Sequence, residues 1–103
     1  MKDMLILLAA AGMFMASATA SADGRRLYAA CAACHGTNGA SKGEALPALA
    51  GQPRSTLIAS MRAFKDGSRP ATIMHQIARG FSDDEIAQIA EFLERQKPTQ
   101  AAK

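Results

Sequence analysis

The chain has little of what most active sites are built from. Its 103 residues include two cysteines, two histidines, one tyrosine and no tryptophan. No Ser/His/Asp set, paired-carboxylate constellation or glycine-rich phosphate loop is visible, and no stretch alternates apolar and polar residues as a β-strand does. The formal net charge is +3, without a basic tract or interleaved aromatic residues. The sequence therefore gives no case for nucleic-acid binding and leaves few residues that can carry chemistry.

Both cysteines and one histidine lie in a single motif, Cys31-Ala32-Ala33-Cys34-His35. This C-x-x-C-H spacing is the signature of c-type haem attachment. Positions i, i+3 and i+4 share one face of a helical turn. The two thiols can therefore each add to a vinyl group of one porphyrin while His35 comes to lie under its centre. The motif predicts one covalent haem c, held by Cys31 and Cys34, with His35 as the proximal ligand of its iron.

Other interpretations of the motif are weaker. A redox-active C-x-x-C belongs near a βαβ pattern, which this sequence lacks. A zinc site needs four ligands, and the adjacent Cys34 and His35 would converge poorly on one tetrahedral ion. A structural disulfide between Cys31 and Cys34 is the remaining alternative.

The N-terminus resembles a secretion signal. Lys2 gives a positive start, residues 4–15 are apolar or glycine, and Ala20-Ser21-Ala22 has the small-x-small cleavage pattern. A membrane anchor would need about 20 apolar residues, and this run is shorter. We therefore expect residues 1–22 to be removed after about Ala22, without stable membrane insertion afterwards. A domain of residues 23–103 would remain, exported to a bacterial periplasm.

Apolar periodicity and capping signals predict an all-α domain. The first helix is expected over 23–34 with Asp23 as its N-cap, the second over 54–66, and a short third over 73–79. Ser82 and Glu85 form a capping box that begins the last helix. Residues 99–103 are expected to form a loose tail.

Residues 36–52 are rich in turn formers and read as a loop around a haem edge. Leu46 and Leu49 are candidates to touch the ring. The carbonyl of Pro47 can accept a hydrogen bond from the far nitrogen of His35, which would fix the imidazole orientation and raise its basicity.

A haem iron bound by His35 has one further axial position. The mature chain offers Met61, Met74 and His75 as donors. Met61 falls on the apolar stripe of the second helix and reads as core packing. Met74 follows a turn-rich approach, and the adjacent His75 points about 100° away from it on a helix. The pattern favours Met74 and leaves His75 open.

Three segments resemble small class I monohaem cytochromes c: the haem motif, the loop Leu46-Pro-Ala-Leu-Ala-Gly-Gln52, and the run from Thr72 to Ile86. Within that family the last run is most similar to the cytochrome subunit of flavocytochrome c sulfide dehydrogenase. The resemblance implies the class I cytochrome c fold, with several short helices and loops around one haem. It implies an axial pair of His35 and Met74, with Pro47 as the carbonyl partner of the histidine.

The resemblance also implies that the first and last helices pack together, with Gly24 and Tyr28 against Phe92. Relatives often have Gly or Ser after the methionine, where this chain has His75.

One-electron transfer is the function that these features favour, without enzymatic activity of the chain on its own. The expected partner is a flavoprotein dehydrogenase that oxidises sulfide, or another redox protein. A freely diffusing shuttle to a terminal oxidase or reductase is the first alternative. The second is a haem sensor or peroxidase-like enzyme with an open sixth site, which requires Met74 to be absent from the iron. A basic rim could steer an acidic partner; its candidates are Arg54, Arg62, Lys65, Arg69 and Arg79.

Haem attached through Cys31 and Cys34 should stay with the protein under denaturing conditions, because thioether bonds are covalent. Acid–acetone extraction should leave the colour in the protein pellet. Extraction of the haem into the solvent would contradict the assignment, as would two thioether links in Cys31→Ala.

Overall fold

The computed structural model describes residues 20–41 and 46–98, which form five α-helices and one 3-10 turn. The helices are α1 (Ala20–Tyr28), α2 (Ala32–His35), α3 (Arg54–Asp66), α4 (Met74–Arg79) and α5 (Asp83–Glu94); the 3-10 turn is Thr37–Gly39. No strand occurs in this part of the chain, so the all-α prediction is confirmed. Residues 1–19 of the expected signal and the expected tail 99–103 lie outside the described residues.

The first helix differs from the sequence prediction. The single helix expected over 23–34 is wrong: α1 already begins at Ala20 and ends at Tyr28, and α2 begins only at Ala32. The break consists of i→i−3 hydrogen bonds, among them one of 2.8 Å from the Cys31 N–H to the Tyr28 carbonyl. Alanine has the highest helix propensity, so no local signal at residues 29–30 announces this tighter turn. It sets the haem motif apart from α1 as a separate helical turn.

The later helices begin and end where local signals place them. α3 has the expected bounds and stops at Gly67, whose φ of +83° lies in the left-handed region that favours glycine. The capping box of α5 is present, with the Glu85 N–H 3.1 Å from the Ser82 hydroxyl and the Ser82 N–H 2.9 Å from the Glu85 carboxylate. α4 begins one residue later than expected, with Ile73 at its N-cap position.

The crossing of α1 over α5 organises the packing. Gly24 makes it possible, because a Cβ built on this residue would lie 2.4 Å from the Gln88 carbonyl oxygen and 3.1 Å from the Phe92 Cβ. One helical turn later the rings of Tyr28 and Phe92 pack with their centroids 5.6 Å apart. The packing of Gly24 and Tyr28 against Phe92 that the family resemblance implies is therefore confirmed.

The buried core lies around this crossing and extends to α3. Its cluster comprises Tyr28, Leu57, Ile89, Ala90, Phe92 and Leu93. α3 is linked to the chain near both ends of α5. The Arg54 N–H donates to the Glu94 carboxylate, and the Lys65 ammonium donates to the Phe81 carbonyl and lies 3.9 Å from the Asp83 carboxylate.

None of the helices in the described part of the chain has both the length and the apolar character needed to cross a membrane.

Gly24→Ala should destabilise the protein, because the new methyl group would collide with the backbone of α5. Overpacking of this kind typically costs about 1–3 kcal/mol, partly offset by the higher helix propensity of alanine. Denaturant unfolding of the haem-loaded protein measures the loss. Gly80→Ala is the matched control, since Gly80 has an ordinary φ of −75° and its Cβ would come no closer than 3.3 Å, to the Ile77 carbonyl. Equal stability of the two variants would contradict the role of Gly24.

Candidate haem site

The C-x-x-C-H motif forms one helical turn. The Cys31 carbonyl accepts hydrogen bonds from the backbone N–H of Cys34 at 3.2 Å and of His35 at 2.9 Å. Cys31 is half-buried, Cys34 is exposed, and neither forms a disulfide. Burial raises the pKa of the Cys31 thiol, and the nearby Cys34 adds to that shift. Both sulfurs are thus held on the turn that ends in His35.

His35 is buried and fixed by a backbone acceptor. Its Nδ1 lies 2.9 Å from the Pro47 carbonyl oxygen. A carbonyl can only accept, so Nδ1 carries a hydrogen, and in the neutral ring Nε2 keeps its lone pair. This tautomer is the one that a metal-binding imidazole needs. The structure therefore contains the expected contact between His35 and Pro47.

Gly36, the residue after the motif, is held in place through its own carbonyl. The backbone turns sharply at Gly36, where φ is +84°, and the Tyr28 hydroxyl donates to the Gly36 carbonyl. Tyr28 is buried, and this desolvation raises the pKa of its phenol. The sequence indicates only helix packing for Tyr28 and does not predict this contact. The only feature of the sequence that sets Tyr28 apart is that the chain has no other tyrosine. No sequence pattern predicts a hydrogen bond to a carbonyl eight residues away.

Hydrogen bonds also shape the loop that carries Pro47. The Ser41 hydroxyl donates to the Leu46 carbonyl at 2.8 Å, and the Gln52 amide donates to the Ala48 carbonyl at 2.6 Å. The Leu49 N–H donates to the Gly39 carbonyl at 2.9 Å. The Pro47 carbonyl is therefore placed by a loop that is tied down on both sides.

These elements surround a cavity of about 500 Å³. This volume lies in the range of cofactor sites. Cys31, Cys34, His35 and Pro47 line it, and most of the other lining side chains are apolar: Leu49, Leu57, Met61, Phe64, Ile77, Ile86, Ile89 and Leu93 are among them. A flat, largely apolar porphyrin fits these walls, with two thiols and an imidazole at one place on them.

Two large apolar side chains are exposed beside the cavity. Leu46 is 43% exposed and Ile73 is 58% exposed, and both line the cavity. Their placement is consistent with a bound apolar group that would cover them.

The three candidates for the sixth ligand are placed differently. Met74, the first residue of α4, lines the cavity and is half-buried. Met61 also lines it, so the expectation that Met61 is merely core packing is incomplete. His75 is not among the lining residues: its Nε2 contacts the Arg69 carbonyl, and its ring centroid lies 6.3 Å from that of Phe64. Both methionines therefore line the cavity, and His75 does not.

A zinc site finds no support in the described residues. Residues 20–41 and 46–98 contain no group of three or more His, Cys, Asp or Glu side chains that could hold a metal ion together.

Known proteins of one family resemble this chain. The family model described as Cytochrome c matches residues 21–97. Cytochrome c-554(548) of Halomonas halodenitrificans is 38% identical over 80 residues, which cover 75% of this chain and 96% of that protein.

Two further relatives have names that refer to a redox partner. The cytochrome subunit of sulfide dehydrogenase of Chlorobaculum tepidum is 38% identical over 69 residues, which cover 67% of this chain and 62% of that protein. The thiosulfate dehydrogenase electron acceptor of Stutzerimonas stutzeri is 43% identical over 65 residues, which cover 60% of this chain and 30% of that protein. The chain spans less than two thirds of both.

Without a bound cofactor the chain should be largely unfolded. A cavity of about 500 Å³ leaves much of the interior without packing partners, and so small a domain buries too little apolar surface to offset its conformational entropy. Circular dichroism of protein made without the haem-attachment machinery tests this. A cooperative thermal transition near that of the haem-loaded protein would show that the side-chain core suffices.

Proposed function

The chain belongs to the cytochrome c family and is a monohaem electron-transfer protein, and we propose that it is the haem subunit of a periplasmic, sulfide-oxidising flavoenzyme. The single observation that supports haem binding is one cavity whose wall includes Cys31, Cys34, His35 and Met74. The partner is supported by the similarity to the cytochrome subunit of sulfide dehydrogenase.

Within this proposal each site residue has one role. Cys31 and Cys34 hold haem c through thioether bonds, and His35 and Met74 bind its iron. Haem c, when bound, supplies a Fe(II)/Fe(III) couple that takes up and releases one electron at a time. The Pro47 carbonyl keeps the proton of His35 on Nδ1, at 2.9 Å, and so directs Nε2 toward the metal. The apolar side chains on the cavity wall offer water few hydrogen-bond partners near the ligands.

Met74 is favoured over Met61 by its surroundings. The segment that leads to it also borders the cavity, through Arg69, Pro70, Ala71 and Ile73. Met74 is the first residue of α4, at the end of this short connection, so a change in the connection can bring its sulfur toward the iron. Met61 instead belongs to the middle of α3.

The acidic residues of α5 give no sign of an enzymatic site. Glu85 accepts the Ser82 N–H in the capping box, and Asp83 lies 3.9 Å from the Lys65 ammonium. These contacts, together with the favourable position of acidic residues at a helix N-terminus, account for them structurally. We therefore propose that the chain has no catalytic activity of its own.

The surface favours a docked subunit over a charge-steered shuttle. Two of the five basic rim candidates are engaged within the chain: Lys65 with the Phe81 carbonyl and Asp83, and Arg69 with Ser60 and the Phe64 ring. The exposed Ile73 borders the cavity. Whatever part of this side chain a bound haem leaves uncovered suits a stable, apolar interface rather than a brief encounter.

The axial pair can be tested on two methionines of the same cavity. The oxidised protein should show the weak near-infrared band of methionine–ferric ligation. Met74→Ala should abolish the band because its thioether is lost, and Met61→Ala, the matched control, should retain it. Loss of the band in Met61→Ala alone would transfer the ligand role to Met61. A band unaffected by both substitutions, or absent from the unsubstituted protein, would contradict methionine ligation.

The partner can be tested by purification from the native source. A subunit should co-elute at high salt with a flavin-containing chain, and sulfide added to that complex should reduce the haem whereas thiosulfate should not. Recovery as a lone monomer with strongly salt-dependent electron transfer would favour the diffusing shuttle. Reduction by thiosulfate alone would assign a different partner.

A further inference from the structure

We propose that Tyr28 is a positioning residue for His35: its hydroxyl holds the turn on which the Pro47 carbonyl, the hydrogen-bond acceptor of the imidazole, depends. The inference rests on His35 binding a haem iron, as in the proposed function. Tyr28 is buried and does not line the cavity. Its influence on the ligand must therefore pass through the protein, from the crossing of α1 and α5 to the imidazole.

The Tyr28 hydroxyl lies where the 3-10 turn Thr37–Gly39 closes. It donates to the Gly36 carbonyl, and the Gly39 N–H donates to the same carbonyl at 3.2 Å. Burial raises the pKa of the phenol, and a backbone hydrogen bond from Gly39 partly offsets that rise. The hydroxyl is therefore within hydrogen-bonding reach of both ends of the turn.

The same turn holds the segment that follows Pro47. The Gly39 carbonyl accepts the backbone N–H of Leu49 at 2.9 Å and of Ala50 at 3.2 Å. Gly39 is buried with a φ of +80°, and a Cβ built on it would lie 2.7 Å from the Ala50 nitrogen, so the two segments are closely packed. Pro47 comes two residues before Leu49, and its carbonyl oxygen lies 2.9 Å from Nδ1 of His35. A short series of hydrogen bonds and backbone links therefore leads from the phenol to the imidazole.

The ring and the hydroxyl of Tyr28 have separate contacts. The ring packs on that of Phe92 with 5.6 Å between the centroids, and a phenylalanine would keep this contact. The hydroxyl instead satisfies the part-buried carbonyl of Gly36. Because a buried carbonyl that loses a donor is costly, removal of the hydroxyl should favour rearrangement of the turn. The ring thus stabilises the helix crossing, whereas the hydroxyl fixes the turn beside the ligand.

The test uses Tyr28→Phe in the haem-loaded protein. In the reduced state the Nδ1–H of His35 should exchange with solvent about tenfold faster, the effect that one hydrogen bond can have on an opening equilibrium. This exchange should not respond to low denaturant, because opening of the turn exposes little surface. In the oxidised state the paramagnetic shifts of the haem methyl groups should change, since they report the orientation of an iron-bound imidazole. Nuclear magnetic resonance measures both quantities.

Gly24→Ala is the matched control, because it disturbs the same helix crossing and keeps the hydroxyl. It should lower the free energy of unfolding, while the exchange of the His35 Nδ1–H without denaturant and the haem-methyl shifts stay as in the unsubstituted protein. The comparison therefore separates a weakened crossing from a displaced ligand.

The outcomes also separate this proposal from the site itself. Equal effects of Tyr28→Phe and Gly24→Ala on exchange and shifts would overturn it, because Tyr28 would then act through helix packing alone. Either quantity unchanged in Tyr28→Phe would overturn it as well, with covalent haem and the near-infrared band intact. Absence of covalent haem from the unsubstituted protein would refute the proposed function and this inference together.

Discussion

The crossing of α1 over α5 is the contact on which the rest of the structure depends. It brings two backbones close at Gly24, a distance that no side chain there would permit. From this crossing α1 leads through the tight turn at residues 29–30 to the haem motif, while α5 faces both the core and the cavity. Ile89 and Leu93 belong to both the buried cluster and the cavity wall. The same residues of α5 therefore contribute both to the helix packing and to the wall of the cofactor cavity.

Backbone carbonyls, rather than side-chain partners, fix the ligand end of the site. The Pro47 carbonyl receives the imidazole N–H of His35, and the Gly36 carbonyl receives the hydroxyl of Tyr28. A carbonyl persists whatever side chain its residue carries. The precision of the site accordingly depends on loop conformation, which the bonds from Ser41 and Gln52 maintain. This explains why a segment with little regular structure can hold His35, the proposed iron ligand, in one orientation.

Features with local causes could be predicted from the sequence, and features with tertiary causes could not. The bounds of α3 follow from its apolar stripe and Gly67, and the start of α5 follows from Ser82 and Glu85, because each signal acts within one helical turn. The break before Ala32 has no such signal. The carbonyl contact of Tyr28 also spans separate elements, and the cavity wall unites Met61 and Met74 although they belong to different helices. From the sequence, Arg69 is only one of five candidates for a basic rim; the packed structure places it beside Ser60 and Phe64.

α3 obtains its N-terminal cap from another helix. No side chain at Pro53 caps it and no acidic residue occurs in its first turn; the Arg54 N–H is instead satisfied by Glu94 at the far end of α5. Fraying of the last turn of α5 therefore uncaps α3 at the same moment. The two helices should open as one cooperative unit, with shared protection of their amide hydrogens against exchange. Local opening would then expose the cavity from two walls at once rather than by gradual loosening of one.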